Sequence, residues 1–392
     1  MIPSHSADSQ GTTGGAAASE CLRILCLGLS APRVSGSADA LRREFRSGVD
    51  WVALAALANA HLVGPALWLA FDRSGLLSEL PDDFRDYLGA IHRANAVRLE
   101  TMRGQALRAF ASLNAAGIAP LMLKGGARLV ETGSEAGHMM ADLDLLVEEA
   151  CFDDALEVLR RLGYEAVPEV VGERHHAVTL RHAREIAAID LHRDIGPQRD
   201  FIPLSEAIAS AVPMVVDGAS LRLLSPTHRV MHVFFHSQIH DRGQSGGAVP
   251  LRAMEHFAWL VARHGSAIDW PHISRTCDRL GLGGAWQAWL YLSERCLGAG
   301  ALPMQPTRGA RLHYRRCLLQ LDHPWIEAAL RGALGMTEPL SYAHITYKYR
   351  CHGRLGLLRA RFAECRRLIG KYRHRIPWRL AAAMRDAQGR RS

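Results

Sequence analysis

Two aspartates separated by a single residue, Asp142 and Asp144 in MMADLDLLVEE, are the groups in this 392-residue chain whose type and spacing point most directly to chemistry. On a β-strand alternate side chains share a face, so both acids look one way while Leu143, Leu145 and Val147 look the other. Like charges about 6–7 Å apart repel unless a cation or a donor sits between them. Hard carboxylate oxygens at that spacing suit Mg²⁺. Upstream, Lys124-Gly125-Gly126 closes the short apolar run GIAPLML. Glycines there let the backbone approach an anion, and a helix N-terminus favours negative charge, phosphate being the natural choice. Downstream, Asp190 in AAIDLHRD shares a strand face with His192, while Ile189 and Leu191 point to the core. A third carboxylate on a neighbouring strand would complete a clamp for two metal ions, one holding a triphosphate and one activating an attacking hydroxyl. His192 is placed either to polarise that hydroxyl or to orient Asp190.

The elements that must position these groups follow from periodicity. Residues 21–116 carry apolar positions at three- and four-residue steps and read as helices, broken at Gly64-Pro65 and Pro81. From Gly117 the pattern changes to a buried strand, a turn and a helix, then ADLDLLV as a strand and EEACFDDALEVLRRLGY as a helix stopped at Gly163. HHAVTLRH and EIAAIDLHRD read as two strands joined at Ala183-Arg184, and helical periodicity returns from Ser225. The expected organisation is α+β: a disordered lead-in over 1–20, a helical region over 21–116, a small mixed-sheet core over 117–224, a helical domain over 225–347 and a basic helical tail over 348–392.

His228, His232, His236 and His240 recur every four residues and form a stripe along one helix. Three readings are open: imidazoles packed against the core, a metal array, or His236 and His240 lining the cleft to bind substrate or phosphate. Trp51, Trp270 and Trp286 stand in helical apolar context and read as core.

Composition narrows the class. Hydrophobic residues make up 48% and charged residues 22%, which excludes collagen-like and wholly disordered chains. The eight cysteines include no C-x-x-C pair, so neither a zinc knuckle nor a disulfide framework is indicated and a cytoplasmic, reducing location is expected. Walker A and H-E-x-x-H patterns do not occur. Trp51 to Phe71 is free of Lys, Arg, Asp and Glu over 21 residues, but Asn59, His61 and the Gly64-Pro65 break argue for two buried helices rather than one membrane span. Charge is unevenly placed. Lys348 to Arg391 carries 14 basic residues against Glu364 and Asp386, leaving the rest of the chain at −4 of a total of +8. With Leu355, Leu358, Phe362, Leu368 and Ile369 between the basic residues, the tail suits an anionic partner such as RNA or an anionic membrane, or else a docking contact with the acidic body.

The order strand, KGG, helix, DLDLLV strand, helix, strands and IDLH resembles the nucleotidyltransferase superfold of DNA polymerase beta type. The longer context resembles the bacterial uncharacterised nucleotidyltransferase family over roughly residues 45 to 300. It includes DWVALAALANAHLVGPAL, RANAVRLETMRGQALRAFASLNAAGIAPLMLKGGARL, HSQIH and IDWPHISRTCDRLGL, with KGG and DLDLLV its specific part. The resemblance implies transfer of a nucleoside monophosphate from an NTP to a hydroxyl acceptor, with two Mg²⁺ ions. It also implies site roles: Gly125 and Gly126 in the phosphate-cradling turn, Lys124 in phosphate neutralisation, Asp142 and Asp144 as the metal pair, Asp190 as the third acid. The acceptor is left open among a small molecule, a protein side chain and an RNA end. Two departures stand out. Gly126 replaces a serine usual in the superfold, and His138-Met139-Met140 stands where the family tends to carry an arginine. They motivate an alternative expectation, a catalytically degenerate protein of the same fold that binds nucleotide or RNA.

Overall fold

The computed structural model describes residues 17–133, 137–167, 177–195, 200–300, 305–337, 340, 342–349, 351 and 353–372. Within them α1 (Ala18–Ser30), α2 (Ser37–Ser47), α3 (Trp51–Ala60), α4 (Gly64–Arg73) and the 34-residue α5 (Asp82–Ala115) precede the sheet. The sheet region then runs β1 (Leu121–Met122), α6 (Lys124–Thr132), β2 (Asp142–Leu146), α7 (Phe152–Arg161), β3 (Glu165–Ala166), β4 (Ala177–Arg181), β5 (Ala188–His192), α8 (Leu204–Ala209), β6 (Val212–Val216) and β7 (Ala219–Leu223). After it come α9 (Pro226–Phe234), a π-helical turn over Phe235–His240, α10 (Gly243–Gly246), α11 (Leu251–His264), α12 (Trp270–Arg279), α13 (Gly283–Leu297), α14 (Arg308–Asp322), α15 (Pro324–Thr337), α16 (Tyr342–Tyr349) and α17 (Gly353–Tyr372).

The seven described strands form one mixed sheet in the order β3-β4-β5-β2-β1-β7-β6. β2 runs parallel to β5 and antiparallel to β1, and β1 runs parallel to β7. Strand alternation sorts the side chains. Leu143, Leu145, Ile189 and Leu191 join a core closed by Met102, Phe110 and Leu113 of α5 and by Phe152 and Leu159 of α7. The opposite face turns Leu121 and Leu146 toward a second, helical core built from α1–α4, the start of α5, α9, α11 and α13, where Phe71, Phe234, Phe257 and Trp289 are fully buried. α5 is about 50 Å long at 1.5 Å per residue and contributes to both cores, Phe84 and Leu88 to the helical one and Leu99 to Leu113 to the sheet core. The acid face of β2 and β5 therefore looks into the junction between sheet and helical body.

The β6–β7 hairpin turns at Asp217-Gly218, both in the left-handed region with φ of +50° and +83°, which the right-handed strand twist favours. No single helix among the described residues is long and apolar enough to cross a membrane. α3 and α4 meet that length and hydropathy only as a pair, and they bend by 120° at the Gly64 break. All eight cysteines are free. α16 and α17 form a small hairpin around Ile345, Leu357 and Ala360, and the buried Glu364 takes hydrogen bonds from Lys348, Tyr349 and Arg367. Tyr342 brings this hairpin to Phe235, with ring centroids 6.4 Å apart. The basic stretch after Tyr372 lies outside the described residues.

Candidate active site

β1 delivers the chain to its turn through a hydrogen bond from the Leu123 amide to the Asp144 carbonyl at 3.0 Å. Lys124 then takes φ +47°, a left-handed conformation costing a non-glycine residue roughly 1–2 kcal/mol, and opens α6. Its Nζ donates to Asp144 Oδ1 at 2.6 Å. Gly125 and Gly126 are the next residues of that first helical turn, where backbone N–H groups lack intrahelical acceptors. Side chains crowd both glycines. A Cβ at 125 would lie 3.3 Å from the His138 imidazole, and one at 126 would overlap the buried Met122 thioether. The absence of the expected serine at 126 thus has a local cause: Met122 fills the space a side chain would need. The far end of α6 is pinned to the helical body by two buried ion pairs, Arg128 to Glu255 at 2.6 Å and Arg229 to Glu131 at 2.8 Å.

The parallel register of β2 on β5 sets Asp144 beside Asp190, and β4 sets Thr179 on the other side of Asp190. Thr179 Oγ1 donates to Asp190 Oδ1 at 2.7 Å. His192 Nε2 donates to Asp144 Oδ1 at 3.0 Å, so that one oxygen receives both an ammonium and an imidazole N–H. Burial alone would push the Asp144 carboxyl up, but the His192 hydrogen bond and the Lys124 charge outweigh it and hold it at about 2. Asp142, less buried and one pair further along β2, moves the opposite way. Burial raises it, the Asp144 and Asp190 charges add to the rise, and Lys124 only partly opposes them. Lys124 itself is raised, because the attraction of Asp144, Asp142 and Asp190 exceeds the penalty of its burial.

The helical body supplies the facing wall. His232 is buried, and burial together with the charges of His236 and Lys124 lowers it to about 3, so it stands neutral. The π-helical turn that follows continues the stripe, with the His232 and His236 ring centroids 6.2 Å apart. It brings the His236 and His240 rings to 5.2 Å, with His236 Nδ1 3.3 Å from Asp241 Oδ1. Burial would raise Asp241, but His236, His240 and Lys124 together hold it low, which places this histidine pair within electrostatic reach of the acid face. His228, the first of the stripe, is elsewhere, bonded to Ser210 and Ser225. His138, standing where an arginine was expected, donates through Nε2 to the Gly125 carbonyl at 3.0 Å, and its own carbonyl accepts from Asn95. Thr179 and Asn95 escaped the sequence reading, and His232 entered it only as a member of the histidine stripe. His138 carried a signal there, as a departure from a family pattern.

One oxygen each of Asp144 and Asp190 and one nitrogen of His192 lie within 4.8 Å of one another. Three carboxylates stand against one ammonium, and the Asp142 carboxyl is raised first by burial and then by the Asp144 and Asp190 charges. A hard divalent cation fits that donor set and that charge.

A mixed α+β fold with a glycine turn at a helix start and a D-x-D strand paired to a third acid is the arrangement expected of a nucleotidyltransferase. The chain is a member of the uncharacterised nucleotidyltransferase family, whose model matches residues 47–298. A solved structure described as a candidate nucleotidyltransferase from H. pylori is similar over 59% of this chain and 97% of its own, at 12% identity. Its TM-score of 0.28 is too low to bear on the site. No curated protein matches the chain.

Proposed function

We propose that this chain moves a nucleoside monophosphate from an NTP to a hydroxyl acceptor and releases pyrophosphate, with Asp142, Asp144 and Asp190 holding two Mg²⁺ ions. The observation that carries the reading is the acid cluster itself: an ionised Asp144, set by strand register beside Asp190, with more negative charge than Lys124 offsets. Bound Mg²⁺ would supply neutralisation and polarisation of the phosphate oxygens. The chain's own groups do the rest. The Gly125 and Gly126 amides cradle the triphosphate, and the Lys124 ammonium moves from Asp144 to a phosphate oxygen. His192 fixes the Asp144 carboxylate, and His236 and His240 contact substrate from the helical wall. Asp190, oriented by Thr179, takes the proton as the acceptor oxygen bonds to the α-phosphorus and the bond to pyrophosphate breaks. The acceptor is a small molecule, a protein side chain or an RNA end, and a cytoplasmic location belongs to the same reading. The exposed Leu355, Leu358 and Phe362 among the tail's basic residues support an anionic partner there.

A second reading, nucleotide binding without transfer, draws on the Lys124 ammonium occupying the Asp144 oxygen and on His138 in place of an arginine. Calorimetry of the four NTPs with and without Mg²⁺, on wild type and Asp142→Ala/Asp144→Ala, separates the two when paired with pyrophosphate release. Mg²⁺-dependent binding that the double substitution abolishes, with pyrophosphate released, supports transfer. Binding without release under any acceptor tried supports the second reading, and no binding by wild type overturns both.

A further inference from the structure

Glu206, His228 and His272 come from three helices, α8, α9 and α12, and share no residue with the acid cluster. His228 Nε2 and His272 Nε2 each stand 3.6 Å from Glu206 Oε1, and the three donor atoms lie within 4.8 Å of one another. That is longer than a direct hydrogen bond of about 2.7–3.2 Å. It is close to the roughly 3.4 Å edge that a tetrahedral ion with ligand bonds of about 2.0–2.1 Å sets between its donors.

Neighbouring hydroxyl oxygens hold the His228 ring at Nδ1. Ser210 Oγ, which donates to the Glu206 carbonyl at 2.8 Å, lies 3.0 Å from His228 Nδ1. Ser225 Oγ, which accepts the His228 amide at 3.3 Å, lies 3.2 Å from the same nitrogen. In the tautomer with the proton on Nδ1, held by these oxygens, the Nε2 lone pair faces the Glu206 carboxylate, an arrangement that a cation between them relieves and that orients a metal-binding imidazole. The backbones are tied as well. Asp269 accepts the His272 amide at 2.8 Å, and its own amide donates to Thr227 Oγ1 at 2.9 Å, one residue before His228.

We propose that Glu206, His228 and His272 form a second metal site, which binds Zn²⁺ through two imidazole nitrogens and one carboxylate and clips α8 to α9 and α12. Two nitrogens and one oxygen favour a borderline ion such as Zn²⁺ over Mg²⁺. Glu206, with its side chain 46% exposed, leaves the fourth position open to water.

The test uses the full chain stripped by chelator, then titrated with Zn²⁺ against a chromophoric chelator. The variants are His272→Ala, Glu206→Gln and Asp142→Ala/Asp144→Ala, each checked for folding by circular dichroism. His272 and Glu206 are partly exposed, so neither substitution opens a core cavity. The expected result is that His272→Ala and Glu206→Gln each bind one equivalent of Zn²⁺ fewer than wild type, while the aspartate double variant keeps that equivalent. Zn²⁺ should raise the melting temperature of wild type and not that of His272→Ala, and Co²⁺ should give tetrahedral visible absorption that His272→Ala lacks. Absence of tight Zn²⁺ binding in wild type, equal stoichiometry in wild type and His272→Ala, or loss of that equivalent only with Asp142 and Asp144 overturns the site.

Discussion

Along β2 and β5 neighbouring residues look to opposite sides of one sheet, and burial acts differently on the two sides. Leu143, Leu145, Ile189 and Leu191 are at most 1% exposed, and each contributes about 1.5–3 kcal/mol by leaving water. Asp144, only 2% exposed, is buried nearly as deeply and would be destabilising there without Lys124 and His192. Asp142 has no such pair of partners in the bonds it makes, and its carboxyl is pushed up. The apolar side is stable by itself, whereas the acid side persists because the apolar side fixes the register that sets its charges in place.

The comparison is tested hardest at Asp142. Asp142→Asn removes a crowded charge while keeping the shape, so transfer should fall about 10³-fold, roughly 4 kcal/mol of barrier, while the urea midpoint stays level or rises. Pyrophosphate release and urea titration read the two effects, and retained transfer would remove Asp142 from the metal set. On the other side, Leu145→Ala should cost about 2–5 kcal/mol of stability. Mg²⁺-dependent nucleotide affinity of the folded fraction should stay within about threefold. A parallel collapse in affinity would mean that the two faces are not separable.

The next effect is smaller and depends on pH. Asp144 titrates at about 2 in the folded chain against an ordinary 3.8. Its stabilising contribution is complete above the ordinary value and is lost as pH falls through the folded one, a change of about 2–3 kcal/mol. Asp142 has the opposite sign: its raised carboxyl disfavours folding when ionised and is relieved as pH drops through its folded value. In metal-free buffer, wild type minus Asp144→Asn should therefore lose its stability difference only at the acid end. A difference that vanishes near neutrality would contradict the pairing with Lys124 and His192.

What was legible in the sequence was what a two-residue period or a short turn fixes locally. Asp142 with Asp144, Asp190 with His192 and the KGG turn are set by neighbours in the chain, and the faces they occupy follow from alternation alone. The bond from His192 to Asp144 was not legible, because it depends on the register between β2 and β5, a tertiary choice. The histidine stripe was legible in part: the His232, His236 and His240 rings follow one another at 6.2 and 5.2 Å, while His228 turns to Ser210 and Ser225, a tertiary contact that four-residue steps do not show. The β6–β7 hairpin did leave a trace, Asp217-Gly218 between alternating residues, and it went unread. That α5 spans two cores could not be read, since apolar steps mark a buried face without saying which core buries it.

The smallest predicted effect falls on a residue that carries no signal in the chain. Thr179 reaches Asp190 from the outer neighbouring strand, and Thr179→Val keeps the β-branched shape while deleting that one hydrogen bond. Stability should drop by about 1–2 kcal/mol, since the bond goes to a charged group. If Asp190 takes the acceptor's proton, its carboxylate must be held in one orientation. The substitution should then lower kcat about tenfold and leave KM for the nucleotide within about twofold, with Thr179→Ser restoring the rate. A purely structural threonine would lose stability alone, and a rise in KM instead of a fall in kcat would move Asp190 from proton transfer to nucleotide binding.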